Sequence, residues 1–100
     1  MSNYLYPATV ESNNEGGFIA KFRDVPEAIT EAWDLEELKN NARDALISAI
    51  DFYIEDRKAF PVGSTVKSGE IAIELPASVV AKVLLLNTMV QANVRPIDLA

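Results

Sequence analysis

Histidine and cysteine are both absent from this chain of 100 residues. Without histidine there is no imidazole to carry a proton near neutral pH, so catalysis by a Ser-His or Cys-His pair is excluded. Without cysteine no disulfide and no thiolate metal site can form, which is compatible with a reducing cytoplasm without requiring one. Long apolar runs are missing too. The chain opens without a basic segment leading into an apolar one, and the longest unbroken apolar run after the first helical pattern is Val83 to Leu86. A membrane span needs about 20 apolar residues, so the sequence predicts neither export nor insertion, and a cytoplasmic protein is expected. Basic residues are scarce: nine against fifteen acidic, a net charge of -6. They are also unevenly placed. Met1 to Arg23 balances, Arg57 to Ala100 carries a small basic excess, and Asp24 to Asp56 sets ten acidic residues against Lys39 and Arg43 alone. That middle third repels nucleic acid and attracts cationic partners, although a solvated helix face kept soluble by charge has the same composition.

What is present is organised around the stretch from Asp34 to Asp56. Asp34 is suited to an N-cap, and Glu37, three residues on, completes a capping box. Leu35, Leu38, Ala42, Ala45, Leu46, Ala49, Ile50, Tyr53 and Ile54 then recur at three- and four-residue steps, which places them on one face. Glu36, Asn40, Arg43, Asp44, Ser48, Asp51 and Glu55 cover the other, interrupted by Ile47 and Phe52. Arg57 and Lys58 suit the negative end of the helix, and Pro61 disfavours helix at Phe60, so the pattern ends near Arg57.

Around this helix the alternation has period two. Tyr4 to Val10 and Phe18 to Arg23 read as strands of a hairpin whose turn, Ser12-Asn13-Asn14-Glu15-Gly16-Gly17, is rich in residues that accept positive φ. Pro7, lacking an N–H, points to an edge or a bulge in the first strand. Glu27 to Glu31 reads as a short third strand and Glu70 to Leu75 as a fourth, after a loop over Pro61 to Ser68. Pro76 then opens a second helix, Ala77 to Asn93, apolar on nearly every side. A chain of this size can hardly bury such a helix all round, so Val79, Val80, Val83, Leu84, Leu86 and Val90 are candidates for a subunit interface. Val94 to Ala100 reads as a turn and the start of another helix. The expected fold is α+β: an antiparallel sheet of three to four strands with one long helix packed on it and a C-terminal apolar helix. Two units are expected, residues 1–68 and 69–100.

Few chemistries survive this composition. Gly16-Gly17 lacks the third glycine and the lysine of a phosphate loop. Two-metal hydrolysis needs carboxylates converging from strand ends, and the first strand has no acid before Glu11. No cofactor or metal is expected, and no enzyme.

The order of residues is more informative than their type. Gly16-Gly17-Phe18, Phe22-Arg23-Asp24-Val25-Pro26-Glu27-Ala28-Ile29-Thr30, Glu37, Ala42-Arg43-Asp44-Ala45-Leu46 and Pro61 follow one another at a spacing that resembles the HicB-like antitoxin family. Ile73-Glu74-Leu75-Pro76-Ala77-Ser78-Val79 and Lys82-Val83-Leu84-Leu85-Leu86-Asn87 resemble members that carry a C-terminal DNA-binding domain. The resemblance implies a degenerate RNase H-like domain that binds and masks HicA, a small basic mRNA-cleaving toxin. It also implies a C-terminal part that dimerises and binds the operon's own operator. Ile97-Asp98-Leu99-Ala100 matches only the start of a helix-turn-helix, so a truncated DNA-binding region is expected, with operator binding only where the remainder is present. Ala32 departs from the glycine usual in the family before the helix.

On this reading the acidic middle third faces the toxin. Asp24, Glu27, Glu31, Trp33, Glu36 and Glu37 are the candidate toxin-binding residues, an exposed Trp being a common interface anchor. Two rivals remain. One is a repressor in which Glu70 to Val90 forms a ribbon-helix-helix dimer with Ile71, Ile73 and Leu75 inward; its outward residues, Glu70, Ala72 and Glu74, read DNA poorly. The other is a plain oligomeric scaffold assembled through Ala77 to Asn93.

Overall fold

In the computed structural model, which describes residues 4–94, the alternating segments form strands β1 (Leu5–Ser12), β2 (Phe18–Phe22), β3 (Ile29–Ala32) and β4 (Glu70–Glu74). The helical segments form α1 (Leu35–Asp56) and α2 (Ala77–Val94). The strands make one sheet in the order β3-β2-β1-β4, every neighbouring pair antiparallel, so the fold is α+β with two helices. The expected helix start after residue 94 lies outside the described residues. β4 pairs with β1 from Leu5↔Glu74 to Thr9↔Glu70, which puts residues from both expected units into one sheet.

Pro7 does not mark an edge. It sits in β1, a central strand, and the reason is register. The Leu75 N–H donates to the Tyr4 carbonyl and the Asn13 N–H to the Gly17 carbonyl, so even-numbered residues of β1 turn their backbone groups toward β4 and odd-numbered ones toward β2. Pro7 therefore points its nitrogen at β2, whose ladder with β1 begins only at Ala8↔Phe22. The missing N–H falls just outside the pairing, where it costs nothing. The third strand also begins later than expected, at Ile29. Val25 and Ala28 are buried and close a turn through an Ala28 N–H to Val25 carbonyl bond of 2.9 Å, so Glu27 belongs to that turn.

One face of the sheet packs against α1. Tyr6, Ala8, Ala20, Phe22 and Ile73 meet Leu38, Ala42, Leu46, Ala49, Ile50 and Tyr53 in a continuous apolar core. Small residues at 8, 20, 42 and 49 let the helix approach the sheet closely. Two residues of the predicted apolar face are not in this core: Leu35 and Ile54 are exposed. They occupy the first and last turns of a helix about 33 Å long at 1.5 Å per residue, and only its middle turns have core behind them. Phe52 is exposed as well, and Ile47 is half-buried.

Both ends of α1 are capped by specific bonds. Asp34 Oδ1 accepts from the Glu37 N–H at 2.8 Å. Glu37 Oε1 in turn accepts from the Trp33 N–H at 3.1 Å, one residue before the usual capping-box partner. At the other end Arg57 takes a left-handed conformation (φ 55°, ψ 44°), with its N–H on the Ile54 carbonyl and the Lys58 N–H on the Tyr53 carbonyl. These two bonds make a Schellman motif with arginine where glycine is usual.

α2 is partly accounted for within the chain. Val83 and Leu86 are buried in the common core, and Val79, Val80 and Val90 pack against it half-buried. Leu84, Leu85 and Met89 remain exposed. Asn87 attaches α2 to the segment that follows α1: its Oδ1 accepts from the Phe60 N–H at 2.8 Å and its Nδ2 donates to the Phe60 carbonyl at 3.1 Å. The Phe60 ring is wedged edge-on between Tyr6 and Tyr53, while the Tyr6 hydroxyl donates to the Pro61 carbonyl at 2.7 Å. Burial pushes the Tyr6 phenol well above its ordinary range and the Tyr53 phenol up to about 12, the latter helped by its bond to Glu27. Neither phenol ionises under ordinary conditions.

Candidate functional site

The six acidic and aromatic candidates divide into two groups about 16 residues apart along α1, roughly 24 Å of helix. Asp24 and Glu27 lie toward its C-terminal end and serve the fold. Asp24 accepts from the Ser64 N–H at 2.8 Å and the Ser64 hydroxyl at 2.6 Å, which holds the loop after α1 against the turn after β2. Glu27 accepts the Tyr53 hydroxyl at 2.9 Å. The same loop is fastened a second time by Arg23, which donates to both carboxylate oxygens of Glu70 at 2.9 and 3.2 Å and to the Thr65 carbonyl. The guanidinium and the Lys67 N–H hold the Glu70 carboxyl down at about 2.

At the N-terminal end of α1 the sequence folds into a cleft. Asn13, Glu15, Glu31, Ala32, Trp33 and Glu37 line an opening of about 380 Å³, and Glu36 lies beside it with Asp34 and Asn40 on the neighbouring surface. Its floor is set by the hairpin turn. Asn13 Oδ1 accepts from the Glu15 and Gly17 N–H groups at 2.8 and 3.0 Å, an Asx-type closure. Asn13 Nδ2 reaches across to Glu31 Oε1 at 3.3 Å. Gly17 is required here by space: a Cβ would lie 2.7 Å from the Ala32 carbonyl oxygen and 3.2 Å from Trp33 Cε3. The turn thus backs directly onto the strand end that carries the indole.

Trp33 itself is 66 % exposed. Within the described residues its indole N–H makes no hydrogen bond and its ring no aromatic or cation contact. The ion pairs among the described residues are Lys21–Glu11, Arg23–Glu70 and Lys82–Asp51. None involves Glu15, Glu31, Glu36 or Glu37, and among the described residues no basic side chain lines the cleft. Glu15 and Asn13 were not among the sequence candidates. The available signal was the turn chemistry of residues 12–17, but only the pairing Phe18↔Ala32 shows that this turn abuts Trp33.

Among the described residues no group of three or more carboxylates is placed to hold a metal ion, and no helix is long and apolar enough to cross a membrane. The candidates on α2 run along that helix from Val79 to Val90, and of the six only Leu86 and Val90 line a groove, at the C-terminal end of α1. There Ile54, Arg57, Lys82, Leu85, Leu86, Met89 and Val90 border a separate groove.

Comparison with known proteins assigns the architecture. Residues 5–84 match the model of the HicB_like antitoxin of bacterial toxin-antitoxin system. The chain is similar to Antitoxin HicB of Escherichia coli (strain K12), 42% identical over 95 residues that make up 95% of this chain and 69% of that protein. It is also similar to Antitoxin HicB 2 of Photorhabdus laumondii, 47% identical over 98 residues, 98% of this chain and 68% of that protein. Antitoxin HicB of Pseudomonas fluorescens is more distant, 30% identical over 98 residues. The family match thus runs from the start of β1 into α2, and this chain belongs to the HicB-like antitoxin family of bacterial toxin-antitoxin systems.

Proposed function

We propose that this chain is the antitoxin of a toxin-antitoxin pair, and that it silences a small basic HicA-type mRNA-cleaving toxin by covering it, with no chemistry of its own. The observation that supports this most directly is the Trp33 cleft, an aromatic ring rimmed by carboxylates that have no cationic partner within the described residues. An RNA-cleaving protein presents positive charge to phosphate. A surface that offers carboxylates around a large aromatic anchor competes for that charge and speeds the encounter. Glu31, Trp33, Glu36 and Glu37 form the proposed contact, while Asp24 and Glu27, bonded to Ser64 and Tyr53 toward the other end of α1, serve the fold. The molecule works in the cytoplasm, where its target is, and the sheet with its long helix is read as a degenerate RNase H-like domain put to binding.

The C-terminal part, from residue 69, is assigned to self-association into a dimer or larger assembly. Leu84, Leu85 and Met89 are its exposed apolar side chains, backed by Val79, Val80, Val83, Leu86 and Val90. Joined to a DNA-binding domain, the same assembly would repress its own operon. The test is to mix this chain with the small basic protein encoded beside it, follow the complex by size-exclusion chromatography with light scattering, and measure RNA cleavage. A stable complex in which cleavage stops is the expected result. A chain that neither binds nor protects RNA overturns the proposal.

A further inference from the structure

We infer that the Trp33 cleft is a seat for one arginine side chain of the partner, with the guanidinium stacked on the indole and bonded to the carboxylate rim. This rests on the toxin-masking reading and narrows it to a chemical group. Three independent features support it. Among the described residues the indole face and N–H have no use: Trp33 takes part in no ring contact there, and only its backbone N–H is bonded, to Glu37. The platform is held in place from behind, because Gly17 and Asn13 bring the hairpin turn against it, so closely that a single added Cβ would collide with the Ala32 carbonyl oxygen and press on the ring. The rim is charge-complementary to a cation, with Glu15, Glu31 and Glu37 facing the opening and no ion pair made by any of them among the described residues.

Arginine fits these features better than lysine does. Its planar, weakly hydrated guanidinium stacks on an aromatic face while its edge donates in parallel to a carboxylate, whereas an ammonium is a strongly hydrated point charge. Glu31 and Glu37 each spend one oxygen on the fold, on Asn13 Nδ2 and the Trp33 N–H, which leaves the other oxygen of each for the ligand. Occupation of the seat would also remove from RNA a side chain that a nuclease needs for phosphate. The blocking then follows from competition for one group as well as from bulk.

Trp33 is the single tryptophan, so fluorescence excited beyond the tyrosine absorption band reports on this site alone. The whole chain is titrated with a capped tri-arginine peptide, with tri-lysine, and with tri-citrulline, which keeps the shape of arginine without its charge. Tri-arginine should give a saturable change, tri-lysine should bind several-fold more weakly, and tri-citrulline should give none. By calorimetry, Trp33→Ala and Glu31→Gln should each weaken tri-arginine binding about tenfold or more. Circular dichroism would confirm that these exposed positions leave the fold intact. Equal binding of tri-arginine and tri-lysine, or no loss in either variant, overturns the seat. If tri-arginine leaves the fluorescence unchanged while the chain still captures and silences the basic protein, the seat is wrong and the antitoxin reading stands. If tri-arginine binds as expected and the basic protein is neither captured nor silenced, the seat stands as an arginine site and the antitoxin reading fails.

Discussion

Asn87→Ala is the substitution that most directly tests how the C-terminal helix is joined to the rest of the fold. Asn87 satisfies both backbone groups of Phe60, accepting at 2.8 Å and donating at 3.1 Å, beside a ring that is 2 % exposed and stacked edge-on against Tyr6 and Tyr53. Alanine removes two hydrogen bonds, each with a net value of about 1 kcal/mol, and leaves a donor and an acceptor at the rim of the core. The site is only part-buried, so water entering the vacated space recovers some of the loss. The expected cost is about 2–3 kcal/mol, which in a domain of this size lowers Tm by roughly 10–20 °C. Urea unfolding at neutral pH, followed by circular dichroism, measures it. Thr88→Ala is the control, since its hydroxyl bonds only to the Leu84 carbonyl on the exposed side of the same helix, and its cost should stay within about 0.5 kcal/mol. If Asn87→Ala falls in that same small range, the bidentate clasp is not what holds α2, and apolar contacts of Val83 and Leu86 must suffice.

Three further outcomes are expected. Glu31→Lys combined with Glu36→Lys should weaken binding of the basic toxin at least about tenfold, or ~1.4 kcal/mol, and flatten the salt dependence of its association rate; unchanged surface-plasmon kinetics would remove both residues from the interface. The Glu70 carboxyl is held at about 2 against an ordinary 4.5, so the unfolded chain binds the extra proton between those values. The stability this group adds is complete above pH 4.5 and is lost as pH falls toward 2. Wild type should accordingly exceed Glu70→Gln in stability at pH 6, with the difference shrinking across that window in parallel acid-unfolding curves. Arg57→Gly should raise stability by about 0.5–1 kcal/mol, because Arg57 holds a left-handed conformation that glycine adopts without strain; a loss in thermal unfolding would show that the arginine side chain contributes more than its backbone costs.

The parts of the fold legible from sequence are those fixed by a local period. Asp34 and Glu37 announce the start of α1, and the three- and four-residue recurrence through Leu38, Ala42, Leu46 and Tyr53 names its buried face, because a 22-residue helix repeats the pattern often enough to be unambiguous. At its ends the same rule failed for Leu35 and Ile54, since periodicity gives a direction and not the extent of the surface waiting there. Pro7 was read correctly as lacking a donor and wrongly as marking an edge or a bulge, because the decisive fact is that the ladder with β2 begins only at Ala8↔Phe22, which no local pattern carries. α2 has hardly any period to read, being apolar on most sides, so only the structure shows that Val83 and Leu86 turn inward while Leu85 and Met89 do not. The Asn87–Phe60 clasp spans 27 residues and leaves no trace in composition.

The candidate site shows the same division, and the division itself is informative. Carboxylates look alike in a sequence, but the fold employs them differently. Asp24 is committed to Ser64, Glu27 to Tyr53 and Glu70 to Arg23, and each of these bonds joins segments at least 26 residues apart, so changing them would alter stability and binding together. Glu15 and Glu36 accept no hydrogen bond and make no ion pair among the described residues, and Trp33 leaves two-thirds of its surface exposed. An indole held two-thirds in water beside carboxylates that repel one another adds little to stability. Glycine at 17 and asparagine at 13 nonetheless fix that arrangement in place. Residues that the fold positions but does not use are where a partner's contribution is to be sought, and here they lie together at one end of α1.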